Sequence, residues 1–222
     1  MNHSIAIKQT IAFIETFFAG ESTGHDLLHS LRVFGTASYL AEKEKSDQLF
    51  EIQMAALLHD TDDHKLGGDG HSFPHAEKWL NQLQVTDESK NLILTIISEV
   101  SYKGAQTETP VSSLASAIVQ DADRLDALGA IGIARAFAYG GKHNRPLYIP
   151  GEKAEMHKSF EDYKKSQSST LAHFPEKLFL LKDRMNTPTA KSLAERKHQY
   201  LKDYYDSFLN EANAYENYLP VE

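Results

Sequence analysis

Residues 52–58, Ile-Gln-Met-Ala-Ala-Leu-Leu, are apolar nearly all the way round a helix, and they run straight into His59-Asp60. A helix with no polar face has to be surrounded by other elements, so this segment predicts a central helix inside a larger packing. What it leads into is harder to bury. "HDTDDH" (59–64) crowds three aspartates between two histidines at the end of that helix. A buried carboxylate costs several kcal/mol unless it is paired, hydrogen-bonded or bound to a metal.

The rest of the chain reads as helices around that centre, with no convincing strand. Ile7, Ile11, Ile14 and Phe18 recur at helical spacing in an amphipathic first helix, which carries Lys8, Gln9 and Glu15 and so does not read as a targeting signal. Further helices are expected over residues 25–44, 47–60, 73–83, 87–100 (Thr86 as N-cap), 111–128 (started by Pro110), and 131–140, stopping at Gly140-Gly141. "GGKHNRPLYIPG" (140–151) is the longest Gly/Pro-rich loop. Beyond it, helices are expected over 152–169, 171–185 and 189–215. The fold class is all-α: one domain over 1–222, with a core of about 1–145 and a C-terminal helical extension of about 146–222. That extension either covers a site or forms a homodimer face.

Two more helices carry polar groups where apolar ones are expected. "GHDLLHSLRVFG" places His25, His29 and Arg32 on one stripe, opposite Leu27, Leu31 and Phe34. "IVQDADRLDALG" sets Asp121, Asp123 and Asp126 in an otherwise apolar helix. Metal ligation would satisfy several of these groups at once. The chain has no cysteine, so thiolate sites and disulfides are excluded. Its formal net charge of −8 argues against a nucleic-acid polymer as partner, whereas one basic cluster could still hold a small phosphorylated molecule. No stretch approaches the 18 or more apolar residues of a membrane span, and a cytoplasmic location is expected.

The order His29, His59-Asp60, Asp123 resembles the signature of the HD superfamily of metal-dependent phosphohydrolases. "HSLRV", "AALLHD", "SYKG" and "DADRLDALGAIGIAR" are similar to the motif contexts of its YpgQ-like or YedJ-like bacterial branch. The resemblance covers about residues 20–145 and implies an all-helical fold. It also implies hydrolysis of nucleotides, including cleavage of nucleoside triphosphates to monophosphate and pyrophosphate. It assigns His29, His59, Asp60 and Asp123 to one divalent ion. Asp121 is the rival to Asp123, and Asp126, one turn after Asp123, is placed to hydrogen-bond a ligand histidine. Two imidazoles and two carboxylates suit Mn²⁺, Mg²⁺, Co²⁺ or Fe²⁺, with zinc less favoured. Asp63, three positions after Asp60, stands where the superfamily places a residue that orients or deprotonates the attacking water. His64 is the candidate to protonate a leaving group, and Asp62 reads as a solvated helix stop. His71 and His75 raise a two-metal variant, but their spacing is short for it; His75 otherwise reads as a helix-face residue near Trp79. Arg32, Lys65, Lys103 and Arg124 are the candidate phosphate-binding cations, with Arg135, Lys142 and Arg145 further out. The alternatives are a nucleoside monophosphate phosphatase, a guanosine tetraphosphate hydrolase, a non-catalytic metal-binding sensory module and a purely structural helical scaffold.

Overall fold

The computed structural model describes residues 2–20, 26–62, 72–100, 109, 111–154 and 168–214. Among them there are helices and no strands. In chain order they are α1 (His3–Phe17), α2 (Leu27–Lys43), α3 (Leu49–Leu58), α4 (Pro74–Gln82), α5 (Asp87–Val100), α6 (Leu114–Asp126), α7 (Gly129–Lys142), α8 (His173–Glu176), a 3₁₀ helix (Leu178–Arg184) and α9 (Pro188–Ala212). None is long and apolar enough to cross a membrane.

Side chains that satisfy the first free N–H groups set where the helices start. Asp26 accepts from the His29 N–H at 2.8 Å, so α2 begins at Leu27. Thr86 accepts from Ser89 N–H and opens α5 as expected. Ser113 accepts from Ser116 N–H, so α6 begins at Leu114, several residues after Pro110. Gly140-Gly141 does not stop α7, which runs on to Lys142. Gly140 is buried against Thr170, whose Oγ1 would lie 2.0 Å from a Cβ at that position. The helix expected over 171–185 splits into α8 and the 3₁₀ helix, since Pro175 offers no N–H and Lys177 leaves helical geometry at φ −140°. Of the helix expected over 152–169, residues 155–167 lie outside the described residues and the flanking ones are not helical.

α3 is the centre that its composition predicts. Phe50, Ile52 and Met54 through Leu58 are all buried, and the helix packs against α1, α2, α5 and α6. Leu57 and Leu58 have no exposed surface, and cutting either to Ala would cost about 2–5 kcal/mol. On the far side, Trp79 of α4 stacks on Phe13 of α1 at 4.3 Å and donates its indole N–H to Thr10 at 2.9 Å. α9 closes the other side, packing on α7, the 3₁₀ helix, α6 and α2. An aromatic cluster of Phe137, Phe174, Tyr204 and Phe208 joins α7, α8 and α9.

Candidate metal centre

α2, the end of α3, and α6 converge on one point. His29 lies on the first turns of α2 and has no exposed surface. His59 caps the C-terminus of α3, and Asp60 follows it. Asp123 projects from α6 with 26% of its side chain exposed, so it marks the open side of the cluster. His29 Nε2 lies 3.3 Å from Asp60 Oδ2, 3.4 Å from Asp123 Oδ1 and 3.3 Å from His59 Nε2. His59 Nε2 lies 3.4 Å from Asp60 Oδ1 and 3.9 Å from Asp123 Oδ1. His29, His59 and Asp123 each offer a ligand atom within 4.8 Å of the others.

These spacings suit a shared cation. With metal–ligand bonds of about 2.1 Å, neighbouring donors around one ion stand about 3 Å apart and opposite donors about 4.2 Å apart. The imidazoles are oriented for the same role. His59 Nδ1 donates to the Ala56 carbonyl at 2.9 Å. A carbonyl can only accept, so Nδ1 carries a proton and Nε2 is the ring nitrogen turned towards the cluster. His29 Nδ1 donates to Asp126 Oδ2 at 2.7 Å, which fixes its ring the same way. Asp126 is therefore the histidine partner that its position one turn after Asp123 suggested.

Asp126 is itself held firmly. Arg32 binds it in a two-pronged contact, Nε to Oδ1 at 2.7 Å and Nη2 to Oδ2 at 3.0 Å. Arg135, across the α6–α7 turn, donates Nη1 to Oδ2 at 2.7 Å. Gly129 makes that turn at φ +71°, a conformation that suits glycine. Gly132 lets the two helices meet, because a Cβ there would lie 2.1 Å from the Ala127 carbonyl oxygen.

The electrostatics match a site for a cation. Burial opposes a charge on His29, yet its bonds to Asp123, Asp126 and Asp60 outweigh that and push its pKa up to about 10. Burial likewise opposes ionisation of Asp123, but the His29 bond and the charges of His59 and His29 hold it well below the usual carboxylate range. Asp126 is lowered against the same opposition by His29 and Arg32. A proton on His29 thus occupies the place between the donors that a divalent ion would take.

The remaining expectations divide. Asp121 is fully buried, but it is turned away from the cluster towards α9. It accepts from Asn186 N–H and Thr187 N–H at 2.8 Å, from Thr187 Oγ1 at 2.8 Å and from Asn186 Nδ2 at 2.9 Å. Asp62 is buried, which corrects its reading as a solvated helix stop. It caps α4 from outside, accepting from the His75 and Ala76 N–H groups at 3.1 Å and from His75 Nδ1 at 2.7 Å. Arg124, expected to meet phosphate, is instead buried with its guanidinium on the Arg184 carbonyl and the Thr109 hydroxyl. It joins α6 to the 3₁₀ helix, because at that position on α6 its side chain points to the C-terminal layer. Arg145 lies over the Tyr139 ring at 5.9 Å, and Lys142 ends α7. His25, Asp63, His64, Lys65, His71 and Lys103 lie outside the described residues.

Comparison with known proteins agrees with this geometry. The family described as "HD domain" matches residues 27–128. The chain is 39% identical over 197 residues to YpgQ of Bacillus subtilis (strain 168), covering 87% of each. A Lactobacillus plantarum crystal structure superposes with a TM-score of 0.81 at 33% identity, over 95% of this chain and 98% of that one. An HD-superfamily hydrolase from Bacillus thuringiensis superposes with a TM-score of 0.73 at 38% identity, over 96% and 100%. The structure of B. subtilis YpgQ in complex with ADP gives 0.72 at 35% identity, over 93% and 97%.

Proposed function

Since this chain belongs to the HD domain superfamily, as a hydrolase with a candidate His/Asp metal site, we propose that it splits nucleoside triphosphates into monophosphate and pyrophosphate. The observation that carries the reading is the convergence of His29, His59, Asp60 and Asp123, with the Nδ1 of each imidazole already engaged elsewhere. The relative crystallised with ADP supports a nucleotide as the ligand class.

A divalent ion held by the four donors would supply Lewis acidity to the attacking water and the phosphoryl oxygen. Mn²⁺, Mg²⁺, Co²⁺ and Fe²⁺ are the ions that suit this donor set. The chain's own residues do the rest. Asp126 and the Ala56 carbonyl keep both rings turned inward. Arg32 is one-third exposed and commits Nε and Nη2 to Asp126, which leaves Nη1 for a phosphate oxygen. Lys65 and Lys103 are the further cations for developing phosphate charge. Asp63 accepts the proton of the attacking water, and His64 protonates the leaving group. Arg124 is not carried into this assignment, because its guanidinium is used inside the fold.

The test is the purified protein assayed with mono-, di- and triphosphate nucleotides across Mn²⁺, Mg²⁺ and Co²⁺, with the products identified. Monophosphate and pyrophosphate are expected from triphosphates. Stepwise release of inorganic phosphate would overturn the bond assignment, and no turnover by metal-loaded protein would overturn the enzyme reading. Asp63→Asn should lower kcat by about 10²–10⁴ at unchanged metal content.

A further inference from the structure

We propose that Lys197, on the C-terminal helix, is a substrate-binding residue that takes the outer phosphates of a polyphosphate beside the metal centre. The proposal rests on the nucleotide-hydrolase reading above and adds a cation from a helix beyond the matched HD segment.

Position comes first. The N-terminus of α9 is fixed at two points, by Asp121 of α6 on Asn186 and Thr187, and by Glu44 on Thr189 N–H at 3.0 Å. That anchoring sets the register of the helix and lays the Lys197 stem across the α6–α7 turn. A Cβ at Gly129 would lie 3.3 Å from Lys197 Cγ and 3.6 Å from its Cβ, so the turn keeps room for the stem by carrying no side chain there.

The half-buried ammonium has little protein contact where it stands. Nζ donates one long bond, 3.4 Å, to the Leu128 carbonyl, and among the described residues no carboxylate pairs with it. Burial pushes the ammonium down in pKa; Asp126 acts against that and Arg32 with it. Asp126 cannot offer more, because its two oxygens already serve Arg32, Arg135 and His29. Asp26, the other acid in the surroundings of Arg32, caps α2. Arg32 and Arg135 thus fill one carboxylate, with Lys197, unpaired among the described residues, in its field, next to a centre whose own two carboxylates a divalent ion would neutralise. The surplus positive charge complements a polyanion and gives little to a neutral ligand.

A purely structural lysine capping the end of α6 would share the Leu128 contact but would not discriminate phosphate chain length. Binding of inorganic tripolyphosphate and of orthophosphate to metal-loaded full-length protein, by titration calorimetry, separates the two. In Lys197→Gln, tripolyphosphate affinity should fall about tenfold or more, orthophosphate affinity should change far less, and metal content should stay the same. Lys197→Arg should recover most of the loss. For nucleoside triphosphate the effect should appear in KM and not in kcat. Unchanged tripolyphosphate affinity in folded Lys197→Gln would overturn the proposal while leaving the hydrolase reading intact. Lys197-dependent tripolyphosphate binding by a protein that hydrolyses no nucleotide would support the anion site and overturn the reading it rests on.

Discussion

Asp121 and Asp123 sit two residues apart on α6, and their surroundings could hardly differ more. Asp121 accepts four hydrogen bonds at 2.8–2.9 Å from Asn186 and Thr187, all from neutral donors. Burial pushes its pKa up, with those bonds opposing it. Asp123 faces two histidine nitrogens at 3.4 and 3.9 Å, contacts too long for strong hydrogen bonds. The His29 contact, and then the imidazole charges, drive its pKa down in spite of burial. A carboxylate whose lone pairs are filled by fixed neutral donors holds structure together. One surrounded by ionisable groups at ligand-to-ligand spacing has the setting of a candidate cation ligand. Residue type alone does not separate the two roles; the partners do.

The sharpest way to break the contrast is to remove one member at a time. Asp123→Ala and His59→Ala should lose the bound ion and with it all hydrolysis, whereas the folded fraction of Asp121→Ala should keep its metal. Elemental analysis beside an activity assay decides this, and metal retained in His59→Ala would end the assignment. Asp121→Ala strands buried donors and should also cost about 2–5 kcal/mol of stability, read from denaturant midpoints. Asp126→Asn tests the support of the ligand histidine and should weaken metal affinity about 10–100-fold with the fold intact.

The pH dependence sharpens the same comparison. Without metal His29 is protonated up to about pH 10, and that proton must leave before its Nε2 can bind an ion. Asp123 stays ionised throughout, so it adds no competing proton. Apparent metal affinity should thus rise with pH by about tenfold per unit below pH 10, with proton release on binding. Calorimetry in buffers of different ionisation enthalpy measures that release, and a pH-independent affinity between pH 6 and 8 would contradict it. The smallest effect belongs to the structural side: Thr187→Ala should cost about 1 kcal/mol as the lost N-cap of α9.

Much of this is legible in the sequence. Helical periodicity placed α1 to α5 within a few residues, and the all-round apolar pattern identified α3 as the centre. The resemblance to the HD superfamily points to His29, His59, Asp60 and Asp123 as donors, and the fold does bring them together. Hidden from the sequence was what each polar residue meets across the fold. Asp62 caps a helix starting twelve positions later, and Asp121 anchors one that begins beyond residue 187; neither follows from its own helix's pattern. The sequence sets Arg124 among the candidate phosphate cations and Arg135 further out. The turn at Gly129 reverses that order, turning Arg135 towards Asp126 and leaving Arg124 facing the C-terminal layer. Lys197 escaped notice because its significance lies in crossing a glycine about seventy positions upstream.

The clamp on the start of α9 also has a bearing on how the chain is made. Glu44 finds Thr189 across a separation of 145 positions, and Asp121 waits for Thr187 across 66. At about 5–20 residues per second, a ribosome needs roughly 3–13 s to go from Asp121 to its partners. All four candidate metal donors have been synthesised by residue 123. A growing chain halted at residue 185 would therefore carry the complete donor set while Asp121 still lacked all four of its bonds, so translation order leaves the anchoring of the outer helix until after the ligands exist.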